Sequence, residues 1–63
     1  MRARELKAAR ARLGLSQAAL AEALEVHRVT ITVYEAGRQP IPRLVALAVE
    51  ALERRSAEGR KSA

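Results

Sequence analysis

The chain has 63 residues, room for one small domain with a modest core, and domains this short often gain stability by associating. With no cysteine and one histidine it has no disulfide scaffold and effectively no structural zinc site, so neither a metal nor a cofactor is expected. A formal net charge of +5 points to a polyanionic partner, nucleic acid before an anionic membrane surface, unless the surplus arginine only solvates the chain.

Residues 2–13 place Leu6, Ala9 and Leu13 at i, i+3 and i+7, which predicts a first helix closed by Gly14. Arg10 falls on the same inward stripe, where a charge needs a partner because burying it alone is costly. Ser16 suits the N-cap of a second helix, Gln17 to about Leu24, slim with alanine and anchored by Leu20 and Leu24. Leu24-Glu25-Val26 then makes a short turn.

The stretch RVTITVYE, Arg28 to Glu35, is harder to place. Val29 to Tyr34 alternates apolar and polar residues and is mostly β-branched, the pattern of a half-buried strand. No second segment offers a partner strand, and an isolated one would leave its backbone groups unpaired. As a helix, the stretch sets Ile31, Tyr34 and Glu35 on one face, with Gly37 as cap and Pro40 and Pro42 barring continuation. Each β-branched residue disfavours that helix by roughly 0.5 kcal/mol relative to alanine, which packing must offset. The expectation is helix, with Tyr34 in the core.

Pro42 suits the first turn of a fourth helix running to about Arg55. Leu44, Leu47, Ala48 and Ala51 line one side. Val45, Val49 and Leu52 widen the apolar arc beyond the ~100° of one core contact, and that surplus is the candidate subunit interface. Residues 56–63 are polar and are expected to form a frayed tail outside a 1–55 domain. The apolar run Leu44 to Val49 is too short to span a bilayer, and the charged start lacks the apolar run of a signal peptide. A soluble, cytoplasmic protein is therefore expected.

Two short helices at a tight turn, GLSQAALAEAL and RVTITVYEAG, carry a resemblance to the phage repressor and Cro-like (XRE-type) helix-turn-helix family. LGLSQAALAEAL is similar to the family's GLSQ..LA..LG segment, and VHRVTITVYEAGRQP to its VS..TIS.WE.G...P. The resemblance covers roughly residues 5–52. It implies an all-α, lambda-repressor-like domain of four helices, or five with a short last one, whose helix-turn-helix unit spans about 16–36.

The resemblance also implies roles. Arg28, Val29, Thr32 and Val33 match the face turned to base edges in the major groove. There an arginine can donate bidentately to guanine and the valines can meet thymine methyls. Gln17 matches a glutamine that touches a phosphate and braces the recognition helix. Ser16, His27, Thr30, Arg38 and Arg43 are the further phosphate candidates. Arg10 and Glu35 match a buried ion pair between helices 1 and 3. Two positions depart from the pattern: Glu25 stands where glycine is common in the turn, and His27 where Ser or Thr usually caps helix 3. The usual fifth helix is replaced by ERRSAEGRKSA, which moves dimerisation to helix 4.

The function expected is a homodimeric repressor, not an enzyme, that binds a palindromic operator in double-stranded DNA with no small-molecule effector and no membrane role. Its setting would be a bacterial cell or a phage or mobile element within one. The alternative is an antitoxin or adaptor that uses the same scaffold for protein binding.

Overall fold

The computed structural model describes residues 1–62, with side chains through Glu58. The described residues form four helices: α1 (Ala3–Leu13), α2 (Gln17–Leu24), α3 (Arg28–Glu35) and α4 (Arg43–Ser62). No strand occurs among the described residues, so the domain is all-α as the sequence implied, and RVTITVYE is a helix. Helix α3 packs mainly on α2 and also on α1, while α4 closes the other side of α1 and touches α2.

The core is small and draws on every helix. Leu6 and Ala9 of α1, Leu20 and Ala21 of α2, Ile31 of α3 and Val49 of α4 are buried. Leu15, Leu24, Val26, Tyr34, Ile41, Val45 and Leu52 pack around them, partly covered. Ala9 and Ala21 keep the helices close, because a larger side chain would hold their axes apart. Among the described residues, only four large side chains are fully enclosed, Leu6, Leu20, Ile31 and Val49. Each contributes roughly 1.5–3 kcal/mol by leaving water.

Helices α1, α2 and α3 stop in the same way. Beyond each end the chain turns left-handed, and two backbone N–H groups fold back onto the last turn. Leu15 donates to Arg10 O, Val26 to Ala21 O and Arg38 to Val33 O, each with the companion bond one residue earlier. This double bond satisfies carbonyls that a helix end leaves open. Gly14 (φ 69°) and Gly37 (φ 73°) fill two of the left-handed positions at no steric cost, whereas the third is Glu25 (φ 57°). The turn thus keeps the glycine geometry with a residue that pays about 1–2 kcal/mol for it. Glu25→Gly is expected to raise stability by about 1 kcal/mol, since glycine's greater unfolded-state freedom cancels part of the relief. A urea melt followed by circular dichroism reads this directly, and a lower midpoint would show that the Glu25 side chain makes a compensating contact.

Helix α4 corrects two expectations. It does not stop near Arg55 but runs through Ser62, taking in most of the segment expected as a frayed tail. No proline interrupts it there, and an interior glycine such as Gly59 costs a helix only about 1 kcal/mol. Ala63, and the side chains from Gly59 onward, lie outside the described residues. The second correction concerns its faces. Val45, Val49 and Leu52, expected as the subunit interface, are instead the inward seam: Val49 is fully buried, and Val45 and Leu52 pack on the core. Leu44 and Leu47 stand outside, 79% and 44% exposed. Both sets have helical spacing, so periodicity cannot choose between them. The choice falls to the stripe that meets α1 and α2.

Candidate nucleic-acid interface

Helix α3 is presented by what anchors it. Ile31 locks its inner face, with Tyr34 half-buried beside it. At 100° per residue, Arg28, Val29, Thr32 and Ala36 then point away from the body, and all four are exposed, Val29 at 59%. Val33 is half-buried at the edge of that face. The structure therefore brings together on one exposed helix surface the residues expected to face bases. Thr30 is set apart from them. It lies about 160° around the helix from Thr32 and is half-buried, on the flank away from Gln17.

The start of α3 is capped by the residue that departs from the family pattern. His27 accepts a hydrogen bond at Nδ1 from the Val29 N–H at 3.2 Å. An imidazole that accepts at Nδ1 carries its hydrogen on Nε2, so His27 replaces a serine cap and keeps an outward donor. Ser16 does the same for α2, its Oγ accepting from the Ala19 N–H at 3.0 Å. The hydroxyl proton of Ser16, not used in that bond, remains available to an outside acceptor.

Below α3 lies a polar network that the sequence only half announced. Arg10 donates from Nε to Glu35 Oε2 at 2.7 Å and from Nη2 to Glu35 Oε1 at 3.1 Å, a bidentate clamp between α1 and α3. Its third donor, Nη1, reaches the Leu15 carbonyl at 3.0 Å and so holds the α1–α2 turn as well. The pair sits mostly out of water, with side-chain exposures of 19% for Arg10 and 5% for Glu35. Burial pushes the Glu35 carboxyl up. Hydrogen bonds from Arg10 and Gln17, with the charges of Arg10 and Lys7, outweigh it and hold the group below the ordinary value of 4.5. The Arg10 guanidinium is correspondingly raised by its bond to Glu35.

Gln17 extends the network to the exposed face. It donates from Nε2 to Glu35 Oε1 at 3.3 Å and accepts at Oε1 from the Thr32 hydroxyl at 3.1 Å. A chain of contacts therefore runs Arg10, Glu35, Gln17, Thr32, from beneath the recognition helix to its outer surface. Lys7 was not singled out in the sequence. It is exposed on α1, and its charge helps to lower the Glu35 carboxyl. The available signal was its position three residues before Arg10 on the same helix.

Arg38 and Arg43 are exposed at the two ends of the loop that follows α3, and Gly37 comes close to Ala3 at the start of α1. A second ion pair, Arg12 with Glu53 at 2.9 Å, ties α1 to α4 at the surface. The hydrogen bond from Arg12 lowers the Glu53 carboxyl, but an exposed pair of this kind contributes little to stability. Among the described residues there is no group of acidic, histidine or cysteine side chains able to hold a metal ion. No helix among them is long and apolar enough to cross a membrane.

Comparison with known proteins agrees with this architecture. A family model described as a helix-turn-helix domain matches residues 3–60, nearly the whole chain. A search of the curated proteins found no match, and neither did a search of the solved structures. On a match of that extent, with two short helices meeting at a tight turn and the second turned outward, the chain belongs to the helix-turn-helix domain family, whose members are typically DNA-binding and non-enzymatic.

Proposed function

We propose that this protein is a sequence-specific DNA-binding repressor of the Cro-like (XRE-type) kind, acting as a homodimer on a palindromic operator. The observation that carries the reading is the exposed face of α3 in a chain of net charge +5, held rigidly by its cap and by the Arg10–Glu35 pair. Two such helices would enter successive major grooves about 34 Å apart. Arg28 would donate to guanine O6 and N7, and Val29 and Val33 would meet thymine methyls. Gln17, Ser16, His27, Thr30, Arg38 and Lys7 would meet phosphates on either side and set the register, while Arg43, at the start of α4, is assigned to the seam between the two copies. Repression would follow from occupying a promoter, including its own, with protein concentration as the control.

The dimer surface is reassigned to the outer side of α4. Leu44 and Leu47, with Ala48 and Ala51 beside them, form the apolar stripe the core leaves uncovered. Arg43 and Glu50, seven residues apart, share one flank of that stripe and are both exposed. Two copies of α4 crossing antiparallel about a two-fold axis bring like flanks together, so the arginine of one copy meets the glutamate of the other. That self-complementarity favours a second copy over a foreign partner.

A gel shift and footprint on the gene's own upstream DNA tests the reading, with Arg28→Ala and Leu47→Glu alongside. The expected result is a palindromic footprint. Arg28→Ala should lose about 1–3 kcal/mol of discrimination at one position per half-site. Leu47→Glu should shift the sedimenting mass from dimer to monomer and weaken the footprint. Equal binding of all three proteins to random DNA would refute specific recognition. A monomeric wild type that captures a different protein through Leu44 and Leu47 would favour the antitoxin or adaptor role.

A further inference from the structure

Thr32 lies on the exposed face of α3, and its single hydroxyl proton has two claimants. Gln17 Oε1 is 3.1 Å from Thr32 Oγ1, and the Arg28 carbonyl oxygen is 3.3 Å away. Both are acceptors. Whichever takes the proton, it points back into the protein, and the outward side of the hydroxyl offers only lone pairs.

The orientation of Gln17 is itself determined by its other neighbour. Glu35 is an acceptor-only carboxylate held ionised by Arg10, so the NH2 end of the Gln17 amide must face it. Reversing the amide would set its oxygen against the carboxylate oxygen and its NH2 against the Thr32 hydroxyl. The ion pair beneath the helix thus decides which end of Gln17 meets Thr32.

We infer that Thr32 is a specificity-determining residue that reads its base with a hydrogen-bond acceptor and a methyl group, and that Gln17, oriented by Glu35, is the positioning residue that enforces this. The inference rests on the proposed placement of α3 in the major groove. There guanine presents two acceptors, N7 and O6, and no donor or methyl, so it is the base that Thr32 disfavours. Cytosine and adenine present an amino donor to the hydroxyl oxygen, and thymine presents its methyl to the threonine methyl. A threonine with a free hydroxyl would accept all four bases; this one does not.

Selection from a pool of randomised duplexes, sequenced after binding, tests the inference with wild type, Thr32→Val and Gln17→Ala. In the wild type, one position per half-site should favour cytosine, adenine or thymine over guanine by about three- to tenfold, the worth of one net hydrogen bond. Thr32→Val, which keeps the shape and methyl but has no acceptor, should lose the cytosine and adenine preference at that position alone and retain thymine. Gln17→Ala, which leaves only the longer bond to the Arg28 carbonyl to hold the proton, should partly broaden the same position and leave the base preferences elsewhere in the site unchanged. Guanine favoured there by the wild type, or an identical site selected by Thr32→Val, would overturn the reading of Thr32. Uniform weakening by Gln17→Ala with the base preference at that position unchanged would leave Gln17 a phosphate contact alone and overturn its positioning role. If the wild type enriches no sequence, DNA recognition by α3 itself fails and the inference falls with it.

Discussion

Glu35→Ala is expected to destabilise the domain by about 3 kcal/mol, the low end of the ~3–5 kcal/mol that breaking a buried ion pair costs. The low end applies because Arg10 keeps 19% of its side chain exposed and can recover some hydration once its partner is gone. What is lost is two bonds to Arg10 and the anchor for Gln17, all converging on one carboxylate. A 63-residue domain has about 3–9 kcal/mol of stability to lose. The variant should therefore melt roughly 15 °C lower, or be partly unfolded at the outset. Thermal and urea unfolding followed by circular dichroism would show it; an unchanged midpoint would mean that the pair is energetically a surface contact. Replacing both partners, Arg10→Met with Glu35→Leu, should recover much of the stability, because no charge is then left unpaired.

The same pair sets the acid limit of the fold. Glu35 is held below its ordinary value in the folded state, so its protons are bound more weakly there than in the unfolded chain. The sign follows: its stabilisation is complete above the unfolded value near 4.5 and disappears as the pH falls through the lower folded value. Unfolding midpoints measured downward from pH 6 should drop steeply only below about pH 4.5, and less so in Glu35→Gln.

Ile31→Ala is expected to cost about 2–5 kcal/mol, reduced by roughly 0.5 kcal/mol because alanine is the better helix former. Ile31 is completely enclosed and is the one fully buried residue of α3, so no neighbour on that helix can take over its contacts. Ile31→Val, which removes a single methylene, should cost only about 0.5–1.5 kcal/mol. Val29→Ala, two residues away and 59% exposed, should leave stability within about 0.5 kcal/mol of wild type. Comparing urea midpoints of the three separates anchoring from recognition. If Val29→Ala destabilises as much as Ile31→Ala, then α3 sits rotated and a different face meets DNA.

How much of this was legible in the residues depends on whether a local rule had competition. The first three helices, their caps at Ser16, Gly14 and Gly37, and the inward placement of Ile31, Tyr34 and Arg10 could be read directly. In each case periodicity and end chemistry agree. RVTITVYE could be read despite its strand-like composition because no partner strand exists, and an unpaired strand cannot satisfy its backbone. That Arg10 needs a partner could be read from its place on an inward stripe, and Glu35 from its place on the inner face of helix 3, whereas their pairing was implied by the family resemblance.

Other features needed the folded chain. Helix α4 carries two apolar stripes of equal periodicity, and only docking on α1 and α2 sends Val45, Val49 and Leu52 inward and leaves Leu44 and Leu47 outside. The left-handed turn at Glu25 is likewise imposed by how α3 must leave α2, against that residue's own preference. The Gln17–Thr32 contact joins residues fifteen apart on different helices, and nothing local to either residue specifies it. The sequence by itself determined which segments are helical and which residues seek burial, because those follow from short-range periodicity and from charge. Tertiary structure decided which of two equivalent faces is covered and which way a hydroxyl proton points, because those depend on atoms brought together only by packing.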